Sequence, residues 1–345
     1  EADKLTEPES IMAVGALIAY INETQKTDVT FAKELNVYTK GQFLEIDMNS
    51  RRNLELTEAM RTKEKRGSLL WVLDKTKTAM GARLLRSWIL KPLTNPVEIS
   101  KRQAAVGDFL SDGVTRSKIS GLFSDMLDLE RLTARAVYGT ANAKDLRAIY
   151  VTISKLPEIK SIISQFKSDY LENIANTIDI LDDIANLLSN AIVDNPPFTV
   201  REGGMIREGF NSDVDYYRSV KNNGKEIMDE IEQREKDATG IRTLRVAYNK
   251  VFGYYIEVSK SFANEVPDRY IRKQTLVNSE RYITQELKEM ENTIFSADEK
   301  LVSLEFEIFT SLRNLISDNS ERIRKSAALI AELDVYLSFA DVADR

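Results

Sequence analysis

Eight cationic side chains fall between positions 241 and 282: Arg242, Arg245, Lys250, Lys260, Arg269, Arg272, Lys273 and Arg281. Four carboxylates stand against them, Glu257, Glu265, Asp268 and Glu280, so the segment carries +4 while the rest of the chain carries −10. The chemistry open to such a patch is electrostatic. Lysine and arginine neutralise the phosphates of a polyanion and release its counterions, the footprint of nucleic-acid backbone binding. The competing reading is a small solvated sheet whose lysines guard its edges.

Covalent chemistry is poorly provided for. With no cysteine there is no disulfide, thiol nucleophile, cysteine–zinc site or iron–sulfur cluster. With no histidine the usual general base and the commonest metal ligand are missing. A phosphate loop of the form G-x-x-x-x-G-K-[ST] is absent. Gly224-Lys225 is followed by Glu226 inside a helical pattern, and Gly203-Gly204 lacks the lysine. Asp182-Asp183 and the Asp125/Asp128 pair lie on helical patterns and read as solvated faces. No catalytic residue, cofactor or metal is expected in this chain.

The basic segment sits between two long helical patterns. Upstream, Asn211 or Ser212 caps a helix with Val214, Tyr217, Val220, Ile227 and Ile231 on its apolar face, ending at Gly240, where a C-terminal glycine belongs. Downstream, Ile283, Leu287, Met290, Ile294, Ala297, Leu301, Leu304 and Ile308 alternate steps of four and three, the seam of a coiled coil. Between them the period changes. Leu244, Val246 and Tyr248 alternate, as do Tyr254, Ile256 and Val258, so a hairpin turning at Asn249–Gly253 is expected, with a further strand over Tyr270–Val277. Tyr254 and Tyr255 should face opposite ways, one into the small core and one outward. Two antiparallel helices carrying such a module reach roughly 45 Å at about 1.5 Å per residue.

The remainder is helical. Ile11 to Thr24 forms one helix, and Phe43–Asp47 alternates like a short strand. Ser68, Thr78 and Asn95-Pro96 are helix starts. Leu127–Tyr138, Ala143–Leu156, Leu171–Ile192 and Ile323–Val342 are further helices, and Phe198–Gly204 is a short extended piece. The fold class expected is mainly α: a helical core bundle with a long antiparallel two-helix stalk carrying a small antiparallel β module at its tip. At 345 residues, with 43% apolar and 30% charged residues and a net charge of −6, the chain suits a soluble, cytoplasmic protein of more than one domain. Its longest apolar run, Ile11–Ile21, is too short to span a bilayer, and its acidic flank is unlike a signal peptide.

Several stretches, in order and spacing, resemble the MutS family of DNA mismatch-recognition proteins, in its bacterial branch. They include Arg51-Arg-Asn-Leu-Glu-Leu56, Met80-Gly-Ala-Arg-Leu-Leu85, Trp88 with Pro92, and Asp128-Leu-Glu-Arg131. Further ones are Gly203-Gly204 with Gly209, Asn249 with Gly253-Tyr-Tyr-Ile256, Gln274-Thr-Leu276 with Asn278, and Glu280-Arg-Tyr282. Glu286-Leu-Lys288 and Glu332-Leu-Asp-Val335 complete the set.

The resemblance implies a division into the end of a connector and linking helix (1–35), first part of a helical core (36–207), lever helix out (208–240), clamp (241–282), lever helix back (283–317) and second part of the core (318–345). It implies a clamp that grips duplex DNA by its backbone through Asn249, Lys250, Arg272, Lys273 and Asn278. Such contacts position a duplex without reading it. Val277 stands where some bacterial relatives carry a lysine. The family's mismatch-binding domain and its ATPase, with ATP and Mg, match nothing in this chain, so a non-catalytic fragment is expected. Gly209, Gly240 and Asn195-Pro-Pro197 are hinge candidates for lever motion. The implied partners are double-stranded DNA, a second copy in the intact protein, and mismatch-repair proteins such as MutL. The alternative is a helical adaptor whose stalk tip binds an acidic protein.

Overall fold

The structure is a computed structural model and describes residues 5, 7–25, 41–166, 168–249 and 253–345. Its elements are α1 (Pro8–Gln25), α2 (Met48–Asn53), α3 (Leu69–Leu73), α4 (Ala79–Leu90), α5 (Pro96–Ser111), α6 (Gly113–Ser124), α7 (Leu129–Val137), α8 (Ala143–Ile153), α9 (Leu156–Ile163), α10 (Asp169–Thr177) and α11 (Asp182–Ala191). Then follow α12 (Ser212–Thr239), strands β1 (Arg245–Asn249), β2 (Gly253–Ser259), β3 (Ile271–Thr275) and β4 (Ser279–Ile283), and helices α13 (Gln285–Asp318) and α14 (Ser320–Ala343). The chain is mainly α with one small antiparallel sheet, as its patterning requires. Among the described residues no helix is long and apolar enough to cross a membrane.

The expected caps form. The side chains of Ser68, Thr78, Asn95 and Asn211 accept from backbone N–H groups in the first turns of α3, α4, α5 and α12. Each satisfies a donor the helix itself cannot. The chain divides into two compact units. One holds residues 1–141, 148–185 and 313–345, and the other holds 142–147 and 186–312.

In the first unit α14 is the central element, packed against α3, α4, α5, α6 and α7. Ala327, Ile330, Ala331, Leu333, Val335, Tyr336, Leu337 and Ala340 are all buried, so it is covered on most of its circumference. Two buried polar residues one turn apart serve the segment between α3 and α4. Asp334 accepts from the Lys77 and Thr78 N–H groups at 2.9 and 2.7 Å and from the Thr78 hydroxyl at 2.7 Å. Ser338 accepts from Lys75 N–H and donates to the Leu73 carbonyl, both at 2.7 Å. Gly81 lies directly under Asp334, where a Cβ would come within 2.3 Å of Oδ2.

The acidic residues expected to be solvated are mostly paired. Asp128 caps α7 and takes a bidentate contact from Arg83 at 2.6 and 2.8 Å. Asp183 takes one from Arg322, which also reaches Asp179, and Asp125 pairs with Lys155. Against the cost of burial, the Arg83 contact holds Asp128 below the usual carboxylate range, and Arg322 does the same for Asp179 and Asp183.

Three expected elements differ. Phe43–Asp47 makes only a single bridge, Phe43 to Leu93, rather than a strand. Phe198–Gly204 is irregular, and the neighbouring bridge joins Ile192 to Ile206. The helix expected over Leu171–Ile192 is broken between Thr177 and Asp182. There the Asp179 carboxylate accepts from Leu181 N–H at 3.0 Å, and Leu181 takes φ +55° with its side chain buried. A side-chain turn of this kind competes with the helix for the backbone donor.

In the second unit α12 and α13 run antiparallel. Arg218 meets Glu305, Lys221 meets Asp298 and Arg234 meets Glu286, at 2.9, 2.5 and 2.5 Å, so partners fall in sequence on one helix as they rise on the other. Gly224 lets Ile294 approach, with the γ2 carbon 3.4 Å from where a Cβ would stand. The seam on α13 departs from the heptad after Leu301. Leu287, Ala297 and Leu301 are buried as expected, but the buried positions then become Glu305, Phe309 and Leu312, displacing Leu304 and Ile308 to half-exposed sites. Consecutive steps of four relax a left-handed supercoil there.

Candidate nucleic-acid interface

The basic segment folds as a four-stranded antiparallel sheet of order β1-β2-β4-β3. One face packs on the ends of α12 and α13. Met228, Ile231 and Leu287 from the helices meet Ile241, Leu244, Ile256, Val258, Tyr270 and Tyr282 in one buried cluster. Carboxylates on the helices hold the sheet in place. Glu232 on α12 accepts from Val246 N–H at 2.8 Å, and buried Glu235 accepts from Tyr270 Oη at 2.7 Å and from Arg269 at 2.6 Å. Glu291 on α13 accepts from Tyr254 N–H at 3.3 Å. Burial and the hydrogen bond to the Glu280 carboxylate push the Tyr282 phenol up to about 12.

Strand β4 has no counterpart in the sequence reading, because its inward residues are Glu280 and Tyr282 rather than an apolar pair. Neither tyrosine of the Tyr254-Tyr255 pair stands free. Tyr254 lies half-buried, its ring 5.1 Å from that of Tyr248, and Tyr255 is buried beneath the Arg281 guanidinium at 4.3 Å. The outer face is therefore covered by a stacked cation, not by an open ring.

The five residues assigned by resemblance do not converge. Asn249 pairs with Gly253 at one end of β2. Asn278 precedes Ser279, which pairs with Ser259 at the other end. Six residues of strand separate the two ends, about 20 Å. Lys250 lies outside the described residues. Arg272 faces the Tyr282 position and makes a 3.7 Å ion pair with buried Glu280. Lys273 is the unpaired residue where the β3–β4 register shifts, and it is exposed. A bulge of this kind re-aims a side chain out of the ladder. Asn278 and Val277 are both exposed in the β3–β4 turn.

Structure also sorts the cations that composition could not rank. Arg269, Arg272 and Arg281 are taken up by Glu235, Glu280 and Glu257. Arg242, Lys260 and Lys273 are exposed, and among the described residues no carboxylate lies within ion-pair distance of them.

The start of β2 depends on Gly253. Its φ is +74°, and a Cβ there would come within 1.8 Å of Glu291 Oε1. Gly253→Ala is expected to cost about 1–2 kcal/mol through backbone strain and a displaced Glu291. Chemical denaturation followed by far-UV circular dichroism checks this, and an unchanged midpoint would refute it.

Comparison with known proteins agrees with the resemblance read from the motifs. The family model of MutS domain III matches residues 49–340. The DNA mismatch repair protein MutS of Acetivibrio thermocellus is 47% identical over 335 residues, which is 97% of this chain and 38% of that protein. Its namesakes from Caldicellulosiruptor bescii and Clostridium botulinum strain Loch Maree are 46% and 47% identical over 96% and 98% of the chain. The chain spans less than two fifths of the length of these relatives. By the extent of the family match and by this identity, the chain belongs to the MutS family and corresponds to its domain III.

Proposed function

We propose that this chain is the non-catalytic core, lever and clamp portion of a DNA mismatch repair protein, whose sheet at 241–282 grips duplex DNA by its backbone without reading sequence. The observation that carries this is the sheet itself: a +4 segment in a chain of net charge −6, mounted on an antiparallel pair of long helices. Phosphate contacts supply affinity that is blind to base identity.

In this reading α12 and α13 act as levers. The carboxylate ties from Glu232, Glu235 and Glu291 make the sheet move with the helices that carry it. Gly209, at φ +83°, is the hinge candidate ahead of α12, whereas Gly240, at φ +73°, closes the C-terminus of α12 as its left-handed cap. ATP and Mg would act on parts of the longer protein other than this chain. A second copy, and repair partners such as MutL, would engage that longer protein in the cytoplasm.

The test is binding of the 345-residue chain to a labelled matched duplex and to the same duplex with one mismatch, across a salt series. Equal affinity for the two, falling steeply with salt and weakened by the Arg272→Ala/Lys273→Ala double substitution, is expected. A clear preference for the mismatch would refute the backbone-only reading. Binding to an acidic protein but not to the duplex would favour the adaptor instead.

A further inference from the structure

The sheet has two ends, and they differ in charge. At one end the start of β2 lies against Glu291, whose carboxylate accepts from Tyr254 N–H and crowds Gly253. An incoming phosphate there meets a fixed anion. At the other end β1 begins, β2 ends, and the β3–β4 turn closes. Lys260 starts a short 3-10 turn directly after β2, and its N–H donates to the Asn278 carbonyl at 3.1 Å, so Lys260 and Asn278 are neighbours. Arg242 lies between the left-handed cap Gly240 and the start of β1. Its neighbours Ile241 and Leu244 are buried, which turns Arg242 outward. Lys273, in the bulge, lies two residues before Thr275 at the same turn.

We infer that the phosphate-gripping surface is this one end of the sheet, and that Arg242 and Lys260 are phosphate contacts alongside Lys273 and Asn278. The inference rests on the DNA-clamping reading above. Arg272 is correspondingly a positioning residue. Its guanidinium offsets the charge of Glu280, a buried carboxylate that also accepts from Tyr282 Oη at 2.6 Å. The unpaired cations give up no intramolecular partner when they meet a phosphate. Arg272, 3.7 Å from Glu280, already spends part of its charge on that carboxylate and has less to offer a phosphate. Glu265 and Asp268, exposed in the β2–β3 connection, belong to the stretch that leads through Arg269, paired with Glu235, to Ile271 opposite Ile283 at the helix end.

The experiment compares wild type, Arg242→Gln/Lys260→Gln, Arg242→Lys/Lys260→Arg and Arg272→Gln by fluorescence anisotropy with a labelled matched duplex between about 50 and 200 mM salt. Each phosphate contact contributes about 0.9 to the slope of log affinity against log salt. The glutamine pair is expected to lower that slope by about 2 and to weaken binding at least about tenfold at the low-salt end. The charge-retaining pair is expected to bind like wild type, which excludes a folding defect as the cause. Arg272→Gln is expected to change affinity less than about threefold while lowering the melting temperature. A slope unchanged in the glutamine pair, or a larger binding loss in Arg272→Gln than in that pair, overturns this assignment and leaves the DNA-clamping reading standing. Wild type without salt-sensitive duplex binding overturns both.

Discussion

Glu305→Ala is expected to destabilise the α12–α13 unit by about 3–5 kcal/mol, the cost of leaving one member of a buried ion pair alone. Glu305 is fully buried on α13, at a position that interrupts the apolar seam. Its Oε1 accepts from Arg218 of α12 at 2.9 Å, and its Oε2 accepts from Met205 N–H at 3.1 Å. Arg218 also donates to the Ile206 carbonyl at 2.8 Å and pairs with Asp215. One carboxylate therefore joins both helices to the Gly203–Met205 turn, where Gly203 and Gly204 take φ +70° and +76°. Removing it strands a partly buried guanidinium and orphans a buried backbone donor. Glu305→Gln keeps acceptor capacity but not charge, and is expected to cost less than the alanine change. The readout must report on the right unit. Both tryptophans, Trp71 and Trp88, lie in the other unit, so urea unfolding should be followed by far-UV circular dichroism and tyrosine signal. A loss below about 1 kcal/mol would show that Arg218 and Met205 find other partners without strain.

Glu305 also shows where sequence reading stops. Its neighbours Leu304 and Ile308 continue the heptad arithmetic, so an apolar count places the seam on them. The structure turns the helix by one position and buries a charge instead. Glu280 hides β4 in the same way, because an inward carboxylate paired with Tyr282 and Arg272 breaks the alternation that marks a strand. What was legible rested on local chemistry: the caps Ser68, Thr78, Asn95 and Asn211, the left-handed Gly240, and the alternation of Tyr254, Ile256 and Val258. What was not legible depended on partners far along the chain. Arg269 reads as a surface cation until Glu235 is placed beneath it, and Arg281 until Glu257 and Tyr255 are. The basic segment was thus visible in composition, while the division between cations that hold the sheet and cations left facing solvent needed the register of four strands.

In the first unit Asp334→Ala is also a severe change, expected to cost about 1–3 kcal/mol for each buried donor it leaves unsatisfied. The side chain is 1% exposed and serves three donors on the α3–α4 segment, Lys77 N–H, Thr78 N–H and the Thr78 hydroxyl. Thr78 in turn caps α4 by accepting from Gly81 N–H at 2.9 Å, so the loss propagates to the start of a helix packed on α14. The close fit of Gly81 beneath the carboxylate leaves little room for a substitute to shift. Burial raises the Asp334 pKa above its ordinary value despite those hydrogen bonds, with nearby Asp74 adding to the rise. A raised carboxylate pKa means the folded state favours the protonated form. That contribution is complete below the unfolded value near 3.8 and is lost as pH rises through the folded value. Asp334→Asn keeps one acceptor oxygen and does not titrate. It is therefore expected to cost less than alanine, and its cost relative to wild type should shrink as pH rises from about 4 toward 7. Trp88, whose ring lies 5.6 Å from that of Tyr336 on α14, gives the fluorescence signal for these unfolding curves. A cost that grows with pH would mean that the three donors, rather than burial, set the protonation of Asp334.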